Sequence, residues 1–480
     1  MTLISLPRSP SFTIHTWFAL LLTMALVPGA MAAPSRPNVL FIAIDDLRPE
    51  LACYGQKQIV SPNIDRLAAQ GVLFSRAFAQ SPICMSSRAS LLTSIHPTRT
   101  HITSTTAVID RDLAGAITLP EAFRQAGYYT VANGKIMHEK SDAAARSWTE
   151  PVWMPPVDDL ASLDVNSKHL RSAKGRGPVF ESADVADNAY PDGQIAEKSA
   201  SDLRRLSKLG QPFFLACGFI KPHLPFYAPK KYWDLYREED IAIPSNRTPP
   251  ENAPTHLAGS REFSNYHLRN LKEGTEEWDR ALRHGYYACV SYMDACVGIV
   301  LRELESLGIA ENTIILFFGD HGWQLGEHGY WGKHNLMRRS LQVPLIVKPP
   351  TSFGKFAQGK TATGIVELVD LFPTLLDLSG TAIPAALQSQ IEGVSFSPLL
   401  RNPSRAWKIA SFSWWNNAGN TIVTATHTYT DWPSGQRMMF DLERDPDENV
   451  NIADLPAEQA TAVKLQTILH AGWKAALPAR

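Results

Sequence analysis

The 480-residue chain predicts an α/β protein. One large, mostly parallel or mixed sheet is sandwiched by helices, and a smaller C-terminal subdomain contains an antiparallel sheet. Three observations predict this. Up to Leu400, short apolar runs alternate with helical patterns, the signature of a sheet covered on both faces. Beyond Arg401 the pattern turns to strand-like runs, KIASFSWW, TIVTATHTYT and QRMMFDL, that suit an antiparallel sheet. Four of the earlier runs also lead directly into acids, histidines or lysines, as expected where a ligand site lies outside the carboxyl ends of the strands.

The predicted strands are NVLFIAI (Asn38–Ile44), YYTVA (Tyr128–Ala132), FFLACGF (Phe213–Phe219), TIILFF (Thr313–Phe318) and VPLIVK (Val343–Lys348). Between them NIDRLAAQG, LPEAFRQAG and SYMDACVGIVLRELESLG read as helices that close on glycine, a favourable C-terminal stop. ELVDLFPTLLDLSG (Glu367–Gly380) reads the same way, and the last segment, PAEQATAVKLQTILHAGWKAAL, is helical. Two long irregular insertions, 141–193 and 227–270, are rich in Pro, charge and aromatic residues. They are expected to wall a substrate cleft. The domain expectation is a signal peptide over 1–33, a catalytic domain over 34–400 and a C-terminal subdomain over 401–480.

The signal peptide is read from Arg8 and His15 ahead of WFALLLTMALV (Trp17–Val27), then PGAMAA with Ala30-Met31-Ala32 as a cleavage site. The apolar run is too short to span a bilayer, and no later stretch is long and apolar enough. The protein is therefore expected to be exported to the periplasm, the medium or a lysosome, with no membrane attachment after cleavage. Lys plus Arg number 46 and Asp plus Glu 47, so no overall field attracts a polyanion and nucleic acid is not an expected partner. An anionic substrate requires the basic residues to gather in one cleft. Of five cysteines, Cys289 and Cys296 lie on one predicted helix about 10 Å apart, too far to bridge, and the odd count leaves a free thiol.

The first strand ends in Asp45-Asp46, the second leads to Lys135 and His138, the third to His223, and the fourth to Asp320-His321. Adjacent carboxylates after a buried strand are costly unless something positive binds them. A divalent cation is one answer, with Asp320 completing the set, and oxygen-rich ligation favours Ca²⁺ or Mg²⁺. Helix capping plus an Arg48 pair is the competing explanation. In SPICMSSRASLLTS (Ser81–Ser94), Cys84 stands at the head of a helix for which Ser86 or Ser87 is the expected cap. There the free N–H groups favour an anion, and Arg88 projects on the same face four residues on. That setting suits a nucleophile attacking an anionic ester. Lys135, Lys333, His138 and His223 supply cations for the ester oxygens and groups for proton transfer.

In family order the chain carries Asp-Asp, Cys-x-x-x-Arg, Lys-x-x-His, Lys-Pro-His and Asp-His-Gly-Trp, within NVLFIAIDDLRPELACYG, CMSSRASLLT, NGKIMH, FFLACGFIKPHLPF and FFGDHGWQLGEHGYWGK. On these motifs, from about residue 37 to 380, it resembles the sulfatase family of the alkaline phosphatase superfamily, nearest to the branch acting on 2-O-sulfated uronic acids. The resemblance implies that a maturation enzyme oxidises Cys84 to Cα-formylglycine, whose hydrate attacks sulfur. It implies one Ca²⁺ held by Asp45, Asp46, Asp320, His321 and the converted Cys84. Arg88 would orient the hydrate, Lys135 and Lys333 would bind sulfate oxygens, His223 would protonate the leaving sugar oxygen, and His138 would deprotonate the remaining hydroxyl. The substrate implied is a sulfated saccharide. Ser86 stands where the family motif has Pro or Ala, and Thr93-Ser94-Ile95 where Thr-Gly-Arg is usual. The same residues also allow a phosphomonoester or phosphonate ester hydrolase, or a catalytically silent glycan-binding protein. A single cluster of metal ligands favours sulfate.

Overall fold

In the computed structural model, the described residues are 1–6, 36–98, 102, 105–158, 160–415 and 419–478. The expected signal segment falls, beyond its first six residues, outside them. Residues Arg36–Arg480 form one compact unit.

The central sheet contains β1 (Asn38–Ile44), β2 (Val72–Phe74), β3 (Tyr129–Gly134), β4 (Phe213–Phe219), β5 (Thr313–Gly319), β6 (Leu345–Lys348) and β7 (Lys360–Ala362), in the order β7-β2-β6-β5-β1-β4-β3. β1 runs parallel to β4 and β5, and β3 parallel to β4, while β6 is antiparallel to both β5 and β2. The five predicted strands are present. VPLIVK is split at Pro344, whose missing N–H cannot join a central ladder. The three-residue strands β2 and β7 were not foreseen, being too short to show a period.

Strands β1, β4 and β5 are buried at every position, which is why they read as unbroken apolar runs. One face packs on α1 (Pro62–Gln70), α4 (Pro191–Leu206) and the long α5 (Glu276–Ser306) through Ile42, Leu215, Ile64, Leu203 and Val297. The other packs on α2 (Cys84–Thr93), α3 (Leu119–Gln125) and α6 (Leu371–Leu378) through Phe41, Phe214, Leu91, Phe123 and Leu375. Thr118 and Glu121 form a capping box at α3. Cys289 and Cys296 are both buried and unbridged on α5.

The expected C-terminal antiparallel sheet is present as β8 (Ala410–Trp414), β9 (Asn420–Thr424), β10 (His427–Asp431) and β11 (Arg437–Asp441), covered by α7 (Gln459–Ala471). The run TIVTATHTYT, read as one strand, is two strands joined by a tight turn at Ala425-Thr426. This sheet grips the segment leading to Cys84. The N–H of Trp414 donates to the Gln80 carbonyl at 2.8 Å and the Ser413 hydroxyl to the Ala79 carbonyl at 2.7 Å. Beside them Lys408, fully buried, donates to Glu367 and Asp370, each at 2.7 Å.

Replacing Lys408 by Met leaves two buried carboxylates without their cation. Such a loss costs about 3–5 kcal/mol, and chemical denaturation of K408M against the parent protein measures it.

Candidate active site

The site is built where β1, β3, β4 and β5 end. The chain leaves β1 through Asp45 and Asp46, and Asp46 adopts a left-handed conformation (φ 59°). Its N–H donates to Asp320 Oδ1 at 3.1 Å, as does that of His321 at 3.0 Å, so one carboxylate aligns both strand ends. Asp45, Asp46, Asp320 and His321 are all fully buried.

Cys84 is the first residue of α2 and points into this cluster. Its Sγ lies 3.1 Å from Asp45 Oδ1, 3.2 Å from His321 Nε2, 3.5 Å from Lys333 Nζ and 3.9 Å from Asp46 Oδ1. The serine cap expected from the sequence is not made: the N-cap is Ile83, without a side-chain bond. Ser87 instead donates to the Asp320 carbonyl, tying α2 to the end of β5. Arg88 lies on the face of Cys84, as its spacing predicted. Its Nε donates to Asp320 at 2.9 Å and its Nη2 to Asp45 at 3.3 Å. Further bonds to the carbonyls of Lys135 and Ile136 hold the turn after β3.

Lys135 Nζ is 2.6 Å from Asp45 Oδ2, and Lys333 Nζ 2.8 Å from Asp46 Oδ1. Lys135 reaches its place because β4 passes beneath it with Gly218, where a Cβ would fall 2.1 Å from the Lys135 carbonyl oxygen. Burial opposes ionisation of Asp45, but Lys135, His223, Arg88 and Lys333 outweigh it and hold the carboxyl well below the usual carboxylate range. Burial and Asp45 push the Cys84 thiol well up, against Lys135 and Lys333. An unmodified thiol here is therefore protonated. Arg48, a rival partner for the acids, is committed elsewhere, to Glu50 at 2.7 Å and Glu327 at 2.9 Å.

The histidines line the mouth. Side chains of Lys135, His138 and His223 keep 16%, 30% and 17% exposure, whereas the three aspartates keep none, so the cluster opens to solvent on the lysine–histidine side. His223 Nδ1 donates to the Leu224 carbonyl at 2.6 Å, which turns Nε2 toward Asp46 (3.9 Å). Burial and Lys333 push His223 down, but Asp46, Glu262 and Asp45 bring it above the usual histidine value. Burial and Lys135 push His138 down to about 3, so it is neutral at ordinary pH. Beside these three lies a cavity of about 250 Å³ walled by Trp148, Val152, Met154 and Val157. These wall residues belong to the first insertion, as expected from its composition.

Every site residue expected from the sequence thus lies in or around one cluster. Two further residues were not expected. Glu262, from the second insertion, sits 3.2 Å from His223 Nε2 and 3.5 Å from Lys333 Nζ. Asp192, at the start of α4, accepts the N–H groups of Ile220 (2.9 Å) and Lys221 (2.8 Å) and so fixes the turn that bears His223. Lys221 Nζ, buried, closes that turn on the carbonyls of Pro225 (2.6 Å) and His223 (3.0 Å). His334, next to Lys333, stacks on Trp415, just past the end of β8, with centroids 5.1 Å apart. Asn246, in the Asn-Arg-Thr sequon, spends its amide on Asn449 (2.8 Å).

The three carboxylates are donors for a hard cation, whereas the Cys84 thiol and the His321 imidazole are softer. Ligand atoms of Asp45, Cys84, Asp320 and His321 lie within 4.8 Å of one another, as do those of Asp45, Asp46, Cys84 and His223. His321 Nδ1 faces the Gly322 carbonyl at 2.9 Å, which turns Nε2 into the cluster.

The sulfatase family model matches residues 37–381. The chain belongs to the sulfatase family. A second model, the C-terminal part of N-sulphoglucosamine sulphohydrolase, matches 326–474. The sulfatase is similar to the iduronate 2-sulfatase of Mus musculus, 34% identical over 79% of this chain and 76% of that protein. Its fold is shared with the phosphonate monoester hydrolase of Agrobacterium radiobacter (TM-score 0.73, 22% identity, 92% of this chain and 96% of that one). A 2-O GAG sulfatase shares it too (TM-score 0.70, 23% identity, 91% and 92%). As a sulfatase the protein is a sulfuric ester hydrolase, with an alkaline phosphatase-like fold.

Asp192→Ala removes the acceptor from two buried N–H groups, each worth about 1–3 kcal/mol. It is expected to lower the melting temperature and to reduce kcat for an aryl sulfate, measured by thermal unfolding and initial rates.

Proposed function

We propose that this sulfatase is exported after loss of residues 1–33 and removes a sulfate monoester from a saccharide, a 2-O-sulfated uronic acid being the first candidate. The reacting group is formylglycine made from Cys84, with one bound Ca²⁺. The observation that carries this is the position of Cys84 Sγ, 3.1 Å from Asp45 and 3.2 Å from His321, with Lys135, Lys333 and Arg88 around it. Similarity to iduronate 2-sulfatase supports the choice of sugar. Cys84 is only 2% exposed, so its maturation enzyme must act before the chain closes.

Asp45, Asp46, Asp320, His321 and residue 84 would hold Ca²⁺, which supplies fixed positive charge beside the reacting group. Formylglycine hydrate supplies two hydroxyls on one carbon, one to attack sulfur and one to release sulfate. The other steps fall to side chains. Arg88, anchored on Asp45 and Asp320, orients residue 84. Lys135 and Lys333, each held by an acid, present their remaining N–H groups to the ester oxygens. His223 bears at Nε2 the proton that passes to the leaving oxygen. His138 is a neutral acceptor, its Nδ1 buried and without a hydrogen-bond partner. The apolar wall of Trp148, Val152 and Met154 receives the ring of the leaving sugar.

Coexpression with a formylglycine-generating enzyme should give a residue-84 peptide with the mass of the aldehyde. The converted protein should release sulfate from 2-O-sulfated iduronate faster than from other members of a panel of sulfated disaccharides. A converted, folded protein that releases no sulfate from any of them would overturn the reading. A chelator should abolish turnover and Ca²⁺ restore it, and Lys135→Ala should lower kcat on the order of 10²–10³-fold.

A further inference from the structure

The second insertion places a carboxylate inside a site meant for an anion. Glu262 lies on a short 3-10 turn (Glu262–Asn265) and reaches two basic groups of the site: His223 Nε2 through Oε1 at 3.2 Å and Lys333 Nζ through Oε2 at 3.5 Å. Its side chain keeps 16% exposure, and Oε2 is buried without a hydrogen bond among the described residues. Burial resists its ionisation, but Lys333 and His223 prevail and hold it well below the usual glutamate value, so it is charged. Neither contact is needed to hold the histidine or the lysine. His223 is fixed by the Leu224 carbonyl, and Lys333 by Asp46, with its ammonium also over the Trp323 ring at 5.4 Å.

What Glu262 does alter is the charge facing the ester. A sulfate monoester carries one negative charge, whereas a phosphate monoester carries nearly two well above its second pKa of about 6. A carboxylate among the ester-binding cations removes one unit of positive charge from the mouth. It penalises a second negative charge on the substrate and leaves a single one well matched. For charges about 5 Å apart at an effective dielectric near 20, that penalty is a factor on the order of 10².

We propose that Glu262 is a specificity-determining residue that tunes the site to singly charged esters and rejects dianionic phosphate monoesters. The inference rests on the reading that Lys135, Lys333 and His223 face the ester.

The test compares three aryl esters above pH 8 on the converted protein: a sulfate monoester, a phosphate monoester, and a phosphonate monoester. The phosphonate has phosphorus geometry and a single charge. Glu262→Gln is expected to raise kcat/KM for the phosphate relative to the sulfate at least tenfold. The phosphonate-to-sulfate ratio should stay constant, and Glu262→Asp should keep the parental preference. Ratios that do not change, or phosphate and phosphonate rising together, would overturn the inference. Should E262Q turn over too slowly, the relative Kd of phenyl phosphate and phenyl sulfate, measured by calorimetry on E262Q and parent, gives the same comparison. If the converted parent releases sulfate from neither the aryl ester nor any of the sulfated disaccharides, the functional reading fails and the inference falls with it.

Discussion

Three aspartates with no solvent exposure, drawn from two adjacent strand ends, set the terms for everything around them. In a dry interior, like charges at such separations repel strongly, and each carboxylate also forfeits its hydration. The arrangement holds only because positive charge meets it from several directions. Arg88 comes up from α2, Lys135 over Gly218 from the end of β3, and Lys333 from the loop after β5. His321 adds its Nε2, 3.2 Å from Cys84 Sγ, with Nδ1 against the Gly322 carbonyl. The parallel pairing of β1 with β4 and β5, and of β3 with β4, brings four strand ends to one edge, and this makes the convergence possible.

The position of residue 84 derives from the same constraint. A helix starting at Cys84 needs its first turn held against the acids. The structure does this with a serine–carbonyl bond to Asp320 and an arginine anchored on two of the three carboxylates. Behind it, the C-terminal sheet fixes Ala79 and Gln80 through β8, and the Lys408–Glu367–Asp370 cluster locks that sheet to the catalytic core. A region away from the carboxylate cluster thereby helps set where residue 84 stands.

The sequence made these strand ends legible because burial on both faces leaves unbroken apolar runs, and the polar residues directly after each run are then free for catalysis or capping. Asp45, Lys135, His223 and Asp320 could be placed at one edge for that reason. The small edge strands β2 and β7 left no such mark, and the turn at Ala425-Thr426 carries neither Gly nor Pro to announce it. Ser86 and Ser87 were misread as caps because the capping preference is local, whereas Ser87 answers to Asp320 across the fold. Glu262 and Asp192 were invisible for a related reason. Their partners lie far off in the chain, at least 28 residues away, and nothing in their own surroundings distinguishes them from solvated surface acids.

This division follows the chemistry. Strand ends bring together a carboxylate cluster, its lysine and arginine partners, Cys84 and two histidines. Insertions supply what differs between esters, namely the size and polarity of the leaving group and the charge on the central atom. The phosphonate hydrolase shares this fold at TM-score 0.73, so the sheet by itself does not choose between sulfur and phosphorus. Groups that reach the site from outside the sheet are free to differ between chains of one fold. In this chain those are the Trp148–Val157 wall beside Lys135 and His138, and the single carboxylate of Glu262 between His223 and Lys333. On the proposed reading the wall would meet the sugar and the carboxylate the ester's charge, so the two insertions would act on different parts of one substrate.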